Sequence, residues 1–299
     1  MKKALTFSAA VCGFSWVVFL ILYACCKGDV KSLGAGFTAF ESLYMLFPMG
    51  VAMVLQKLSH EPFKSTGLLN FRFSWVWVWS VILPVVIMLL SIVTSVLMPG
   101  VRFEYGPEQL LSMQNLPQEA EAALRSQLSS LSPAMLMFST IVSGVFAGCT
   151  INAAFAFGEE YGWRNYMVAA LKGHGFWKSA LLIGFVWGIW HMPLILCGHN
   201  YPQHPVAGVF MMCVFCILTG VMELYLVLRT GSVIPAAIFH GTINAVAGNC
   251  YFFINGGNDL TVGICGVAGF AAMVVVIASI WLWDRGHERI LCGSVQDIS

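Results

Sequence analysis

The sequence predicts an all-α, polytopic membrane helix bundle of about eight transmembrane helices, and three observations lead there. Charged residues make up only 10% of the 299-residue chain, against roughly 25% in a soluble domain. Hydrophobic residues make up 59%, which leaves a soluble fold of this size too little polar surface to cover itself. Eight apolar segments also approach the ~20 residues that a spanning helix needs. The net charge of +1 and the pI near 7.6 offer no footprint for nucleic acid. Membrane lipids are the expected surroundings, with the chain a multi-pass protein of the cell membrane.

The first segment, about residues 5–26, follows Met1-Lys2-Lys3. It is long for a signal-peptide core and lacks a small-x-small cleavage site, so it reads as an uncleaved span. The second and third run over about 36–56 and 74–98. In the long loop at 99–133, Ala120, Leu124, Leu128 and Leu131 recur at helical spacing between Pro117 and Pro133. That pattern predicts a short amphipathic helix on the outer surface, made acidic by Glu104, Glu108, Glu119 and Glu121. The remaining spans cover about 134–157, 178–197, 206–228, 231–254 and 261–283. Arg229, Thr230 and Gly231 make a tight hairpin of the sixth and seventh. No repeat or separate soluble domain interrupts residues 1–299, which form one integral membrane domain.

Cytoplasmic loops are enriched in Lys and Arg. With the N-terminus inside, the outer loops hold Lys27, Lys31, Arg102 and Arg125, four of the 15 basic residues, and the inner segments hold the other eleven. This predicts eight spans with both termini cytoplasmic. Nearly all of the ten cysteines fall inside apolar runs, where cysteine acts as a small apolar residue. Cys213 and Cys216 form a C-x-x-C without the strand–helix context of a redox motif.

Three motifs carry residues that activate water, at a depth where ionisable groups are expensive. Glu159-Glu160-Tyr161-Gly162-Trp163-Arg164 ends the fourth span. Glu160 and Arg164 are four apart and share a helix face, which assigns Glu160 to architecture. Glu159 lies about 100° round the helix and is freer to face a cavity as a general base. The fifth span carries Trp187-Gly188-Ile189-Trp190-His191-Met192-Pro193, where Pro193 loosens the helix beside His191. The seventh carries His240-Gly241-Thr242-Ile243-Asn244. This histidine and amide point the same way and suit a developing oxyanion. Each motif alone also reads as a helix end or a polar helix–helix contact. His191 and His240 lie roughly 15–20 Å deeper than the nearest cytoplasmic boundary. For one site to form, a long fourth helix or an extended water-filled cavity must bring Glu159 to them.

In this order and on separate spans, the motifs resemble the CPBP intramembrane proteases, which include type II CAAX prenyl proteases and bacterial relatives linked to bacteriocin processing and self-immunity. The pattern is E-E-x-x-x-R, F-x-x-x-H and H-x-x-x-N/D. Glu159, Glu160 and Arg164 match the first, and His240 and Asn244 the third. In the second His191 matches, but Trp187 stands where phenylalanine is usual, a swap expected to alter packing more than chemistry. The resemblance covers about residues 135–255 as a catalytic core. It implies an eight-span bundle with a conical cavity open to the cytoplasm. Glu159 and His191 would activate water there, His240 and Asn244 would hold the oxyanion, and Glu160 and Arg164 would support them. The implied activity is cleavage of a membrane-associated or lipidated peptide or protein.

Glu159, His191 and His240 together would complete a zinc site with one open position. The helical H-E-x-x-H pair is missing, so direct water activation is favoured and zinc is the alternative. Glu41 and Glu223, also at membrane depth, either face the cavity or pair with the arginine or a histidine. They leave a proton-coupled transporter open, although no inverted repeat supports it. A non-catalytic peptide-binding immunity or maturation factor is the remaining alternative. His199 and His204 flank an outer loop and read as surface histidines.

Overall fold

Without water to bond exposed amides, an apolar run in lipid satisfies its backbone by folding as a helix. The computed structural model describes residues 1–61, 69, 73–113 and 118–295. Its helices are α1 Lys2–Cys25, α2 Ala35–Tyr44, α3 Phe47–Leu58, α4 Trp79–Val96, α5 Glu108–Met113, α6 Gln118–Ser129 and α7 Pro133–Ala147. After them come α8 Ala153–Glu160, α9 Met167–Ala170, α10 Phe176–Trp190, α11 Met192–Leu196, α12 Pro205–Thr230, α13 Ile234–Val246 and α14 Val267–Arg285. A two-residue antiparallel ladder pairs β1 (Arg102–Phe103) with β2 (Ile254–Asn255). Pro117, together with Lys64 and Arg72 of the eleven basic residues assigned to the inner segments, lies outside the described residues.

Among the described residues, six helical stretches are long and apolar enough to cross a membrane: Lys2–Cys25, Ala35–Leu58, Trp75–Val96, Pro133–Ala170, Pro205–Thr230 and Val267–Arg285. The fifth and seventh expected spans fold as shorter helices. Pro193 has no amide proton to continue the ladder, so α10 closes at His191 and α11 restarts beyond it. Past Val246, α13 tightens into a 3₁₀ turn over Ala247–Phe252.

The fourth stretch is the long helix that the site requires. It runs 38 residues to Ala170, where the apolar pattern alone ended it near residue 157. Two π-helical segments, Gly148–Asn152 and Tyr161–Tyr166, carry it through. The Glu159-Glu160 pair is therefore inside the helix, buried, and not at a solvated end.

Glycines let the site-bearing helices approach closely, as small residues do in membranes. A Cβ on Gly184 of α10 would sit 2.5 Å from the Ile217 Cα of α12. A Cβ on Gly148 would sit 2.5 Å from the Thr242 Cα of α13. Elsewhere apolar side chains such as Leu20, Ile21, Phe138, Phe146 and Ile151 face outward, as a lipid-covered surface requires.

The bundle has two distinct ends. At one, the Met1 amino group donates to the Ala170 carbonyl at 3.5 Å, and Val295 exchanges backbone hydrogen bonds with Gly173 and His174, each 2.8 Å. Both ends of the described chain lie here, with the α12–α13 turn joined by an Arg229–Glu288 ion pair at 3.2 Å. At the other, the loops before α2, α5, α12 and α14 meet. The Tyr201 hydroxyl donates to the Cys265 carbonyl at 2.8 Å, and the Gly256 amide donates to Gln109 at 2.9 Å. The amphipathic helix is present as α6. Its Arg125 pairs with Glu108 and, at 2.9 Å, with Glu121, while Leu128 and Leu131 pack on the core.

Candidate functional site

The helix through Pro133–Ala170, together with α10 and α13, delivers one chemical group after another to a single space. Glu159, His191, His240 and Asn244 line one cavity of about 250 Å³, with Tyr44 and Trp190 in its wall. Glu160 and Arg164 stand behind that wall, fully buried.

Glu160 and Arg164 pair as their spacing predicted, Nη1 to Oε1 at 3.2 Å. The same Glu160 oxygen accepts from His240 Nδ1 at 2.8 Å. Glu223 of α12 pairs with the other arm of Arg164. One guanidinium thus serves two buried carboxylates, and one of them anchors His240. Because a carboxylate only accepts, His240 Nδ1 carries its proton and Nε2 is left toward the cavity.

His191 is oriented by its own helix. Its Nδ1 lies 2.9 Å from the Trp187 carbonyl oxygen. A carbonyl cannot donate, so Nδ1 carries the proton and the neutral ring presents a lone pair at Nε2. Trp187 has a second role that its place in the motif did not reveal. Its indole Nε1–H donates to Glu159 Oε2 at 2.5 Å, and Arg164 lies over its ring, 4.3 Å from the centroid. Beyond the packing change expected of tryptophan, this is a contact that phenylalanine cannot make, since it has no N–H to offer Glu159. The signal was available, since a buried indole N–H needs an acceptor.

The model of the type II CAAX prenyl endopeptidase Rce1-like family matches residues 7–246, from α1 to the end of α13. The chain belongs to this family. A curated relative, CAAX prenyl protease 2 of Methanococcus maripaludis, is 26% identical over 144 residues, covering 38% of this chain and 52% of the relative. The chain spans about half the length of that relative. All three motifs fall inside the Rce1-like region.

The cavity of this Rce1-like chain is continuous with a second space in the fold. It adjoins a larger space of about 550 Å³ lined by Lys31, Gly198 and Pro202, the two sharing Glu41, His199 and Asn200. That mouth is at the end opposite the termini. Glu41 and His199, 2.7 Å apart, pair at this mouth, so His199 is not simply a surface histidine. His204 pairs with the buried Asp259 at 2.6 Å, which also accepts from the Gln203 and His204 amides and clamps the loop.

The zinc alternative rested on Glu159, His191 and His240. Among the described residues, the group of three or more carboxylates and imidazoles whose ligand atoms all lie within 4.8 Å of one another is Glu160, Glu223 and His240. Only His240 is common to both sets. Arg164 already supplies the cation between the two carboxylates, and His240 Nδ1 is committed to Glu160. A dication there would face the guanidinium at close range. The converging set does not fit a metal, and no step below runs through one. The cysteines among the described residues are all free, with Cys213 and Cys216 buried in α12.

Proposed function

We propose that this Rce1-like chain is an intramembrane endopeptidase that hydrolyses a peptide bond of a membrane-associated, lipidated substrate, and that the substrate is a prenylated carboxy-terminal peptide. The observation that carries the reading is the shared cavity of Glu159, His191, His240 and Asn244. Family membership and the name of the relative, CAAX prenyl protease 2, supply the substrate class.

The chemistry follows from the donors and acceptors. Glu159 takes a proton from a water held also by the His191 Nε2 lone pair. The water oxygen bonds to the scissile carbonyl carbon, and the carbonyl electrons move onto its oxygen. Asn244 Nδ2–H and His240 Nε2–H donate to that oxyanion. Since Glu160 holds the His240 Nδ1 proton, His240 offers an Nε2 proton only as an imidazolium, and Glu160 supplies the opposing charge. The tetrahedral intermediate then collapses, the C–N bond breaks, and Glu159 returns its proton to the leaving amine. Glu223, which left transport open in the sequence, is tied to Arg164 and is not a mobile relay group in this arrangement.

The test is cleavage of a farnesylated carboxy-terminal peptide by purified full-length protein in proteoliposomes. Glu159→Gln and His191→Ala are expected to lower kcat by at least about 100-fold, the scale of general-base removal, with unfolding temperatures near the wild type. Full cleavage by Glu159→Gln would refute the assignment.

A further inference from the structure

We infer that Trp187 is a positioning residue for the general base: its indole N–H fixes Glu159, and Arg164 reaches Glu159 through it. This inference rests on the reading of Glu159 as the base. Three contacts meet at one side chain. The Nε1–H donates to Glu159 Oε2 at 2.5 Å. The ring face lies 4.3 Å from the Arg164 guanidinium carbon. Its edge meets the His240 ring at a centroid distance of 5.1 Å, steeply inclined. All three partners and Trp187 itself are buried.

Each contact has a chemical consequence. The N–H occupies one lone pair of Oε2 and lowers that oxygen's basicity, which favours Oε1 as the acceptor of the water proton. Both the carboxylate torsion and the choice of oxygen are then set before substrate arrives, which removes a reorganisation cost from the reaction. A cation over an aromatic face draws on the ring's electrons and polarises the indole N–H, making it a stronger donor in a dry surround. Arg164 thereby acts on Glu159 without touching it. Phenylalanine keeps an aromatic face for Arg164 but has no N–H to donate to Glu159. Trp187 and His191 are four residues apart on α10, and the Trp187 backbone carbonyl accepts the His191 Nδ1–H. One residue orients both water-activating groups.

The test separates the N–H from the ring. Trp187→benzothienylalanine, introduced by codon suppression, keeps the bicyclic shape and puts sulfur where Nε1–H was; Trp187→Phe removes both. In the full-length protein with the farnesylated peptide, both are expected to lower kcat by about 10–100-fold, the range for a lost hydrogen bond to a charged group, with KM unchanged. The infrared band of Glu159, isolated as the difference between each protein and its own Glu159→Gln derivative, is expected to move to higher wavenumber in the benzothienylalanine protein. That band reads the hydrogen bond without reference to activity. Wild-type kcat and an unmoved band for benzothienylalanine would overturn the inference, as would a change confined to KM. If Glu159→Gln alone keeps wild-type kcat, the function assignment fails instead, and the band still decides whether Trp187 holds Glu159.

Discussion

Arg164 balances more buried charge than any single contact suggests. It pairs with Glu160 and Glu223 at once, and all three side chains are fully buried. Breaking such a network from one side leaves carboxylates unpaired in a dry core, at a cost of about 3–5 kcal/mol. Arg164→Met is therefore expected to lower the unfolding temperature in detergent markedly. Adding Glu160→Gln and Glu223→Gln together is expected to restore most of the loss. A triple variant no better than Arg164→Met would show that the arginine acts through packing instead. At this scale the sequence was most legible for Glu159 and Glu160. Their helical phase separated a cavity-lining carboxylate from an arginine-bound one, and the geometry has that division. It was least legible for Trp187, because a motif records ring size and not what the N–H meets.

The elements that carry the site are held by glycine contacts and by π-helical segments. Gly184 brings α10 against the Ile217 backbone of α12, and α10 carries Trp187 and His191. Gly184→Val is expected to push these helices apart, costing about 1–3 kcal/mol as overpacking does and lowering kcat through His191. Gly13 has nothing within 4 Å of its would-be Cβ, so Gly13→Ala is expected to leave both quantities unchanged. Thermal unfolding and steady-state cleavage check the pair; equal effects at both glycines would argue against a specific helix contact. Apolar run lengths revealed the helices but not how they are broken. A π segment inserts residues without interrupting hydrophobicity, so the run ending near residue 157 concealed a helix continuing to Ala170. Pro193 was visible as a loosening point, and α10 does end at Trp190 with His191 as its cap, yet the pattern still read as one full span.

At the scale of the molecule, the cavity mouth and the termini occupy opposite ends. Lys2, Lys3, Lys57, Lys172, Arg285 and Arg289 belong to the terminal end, against Lys27, Lys31, Arg102 and Arg125 at the mouth end. By the positive-inside tendency the mouth would then face away from the cytoplasm. In intact cells, a membrane-impermeant thiol reagent is expected to label a single-cysteine Lys31→Cys protein and to spare one retaining only Cys292 until the cells are opened. The reverse labelling would turn the mouth toward the cytoplasm. Loop charges alone could not reveal this, because which side a cavity opens on depends on how helices splay. The most direct test of the account as a whole is mass spectrometry of a farnesylated peptide incubated with purified wild-type protein in ¹⁸O-labelled water. The account predicts one labelled oxygen in the newly formed carboxyl group and product formation at least about 100-fold slower with Glu159→Gln. Stoichiometric binding of the peptide without cleavage by the wild type, or equal label incorporation by both proteins, would contradict it.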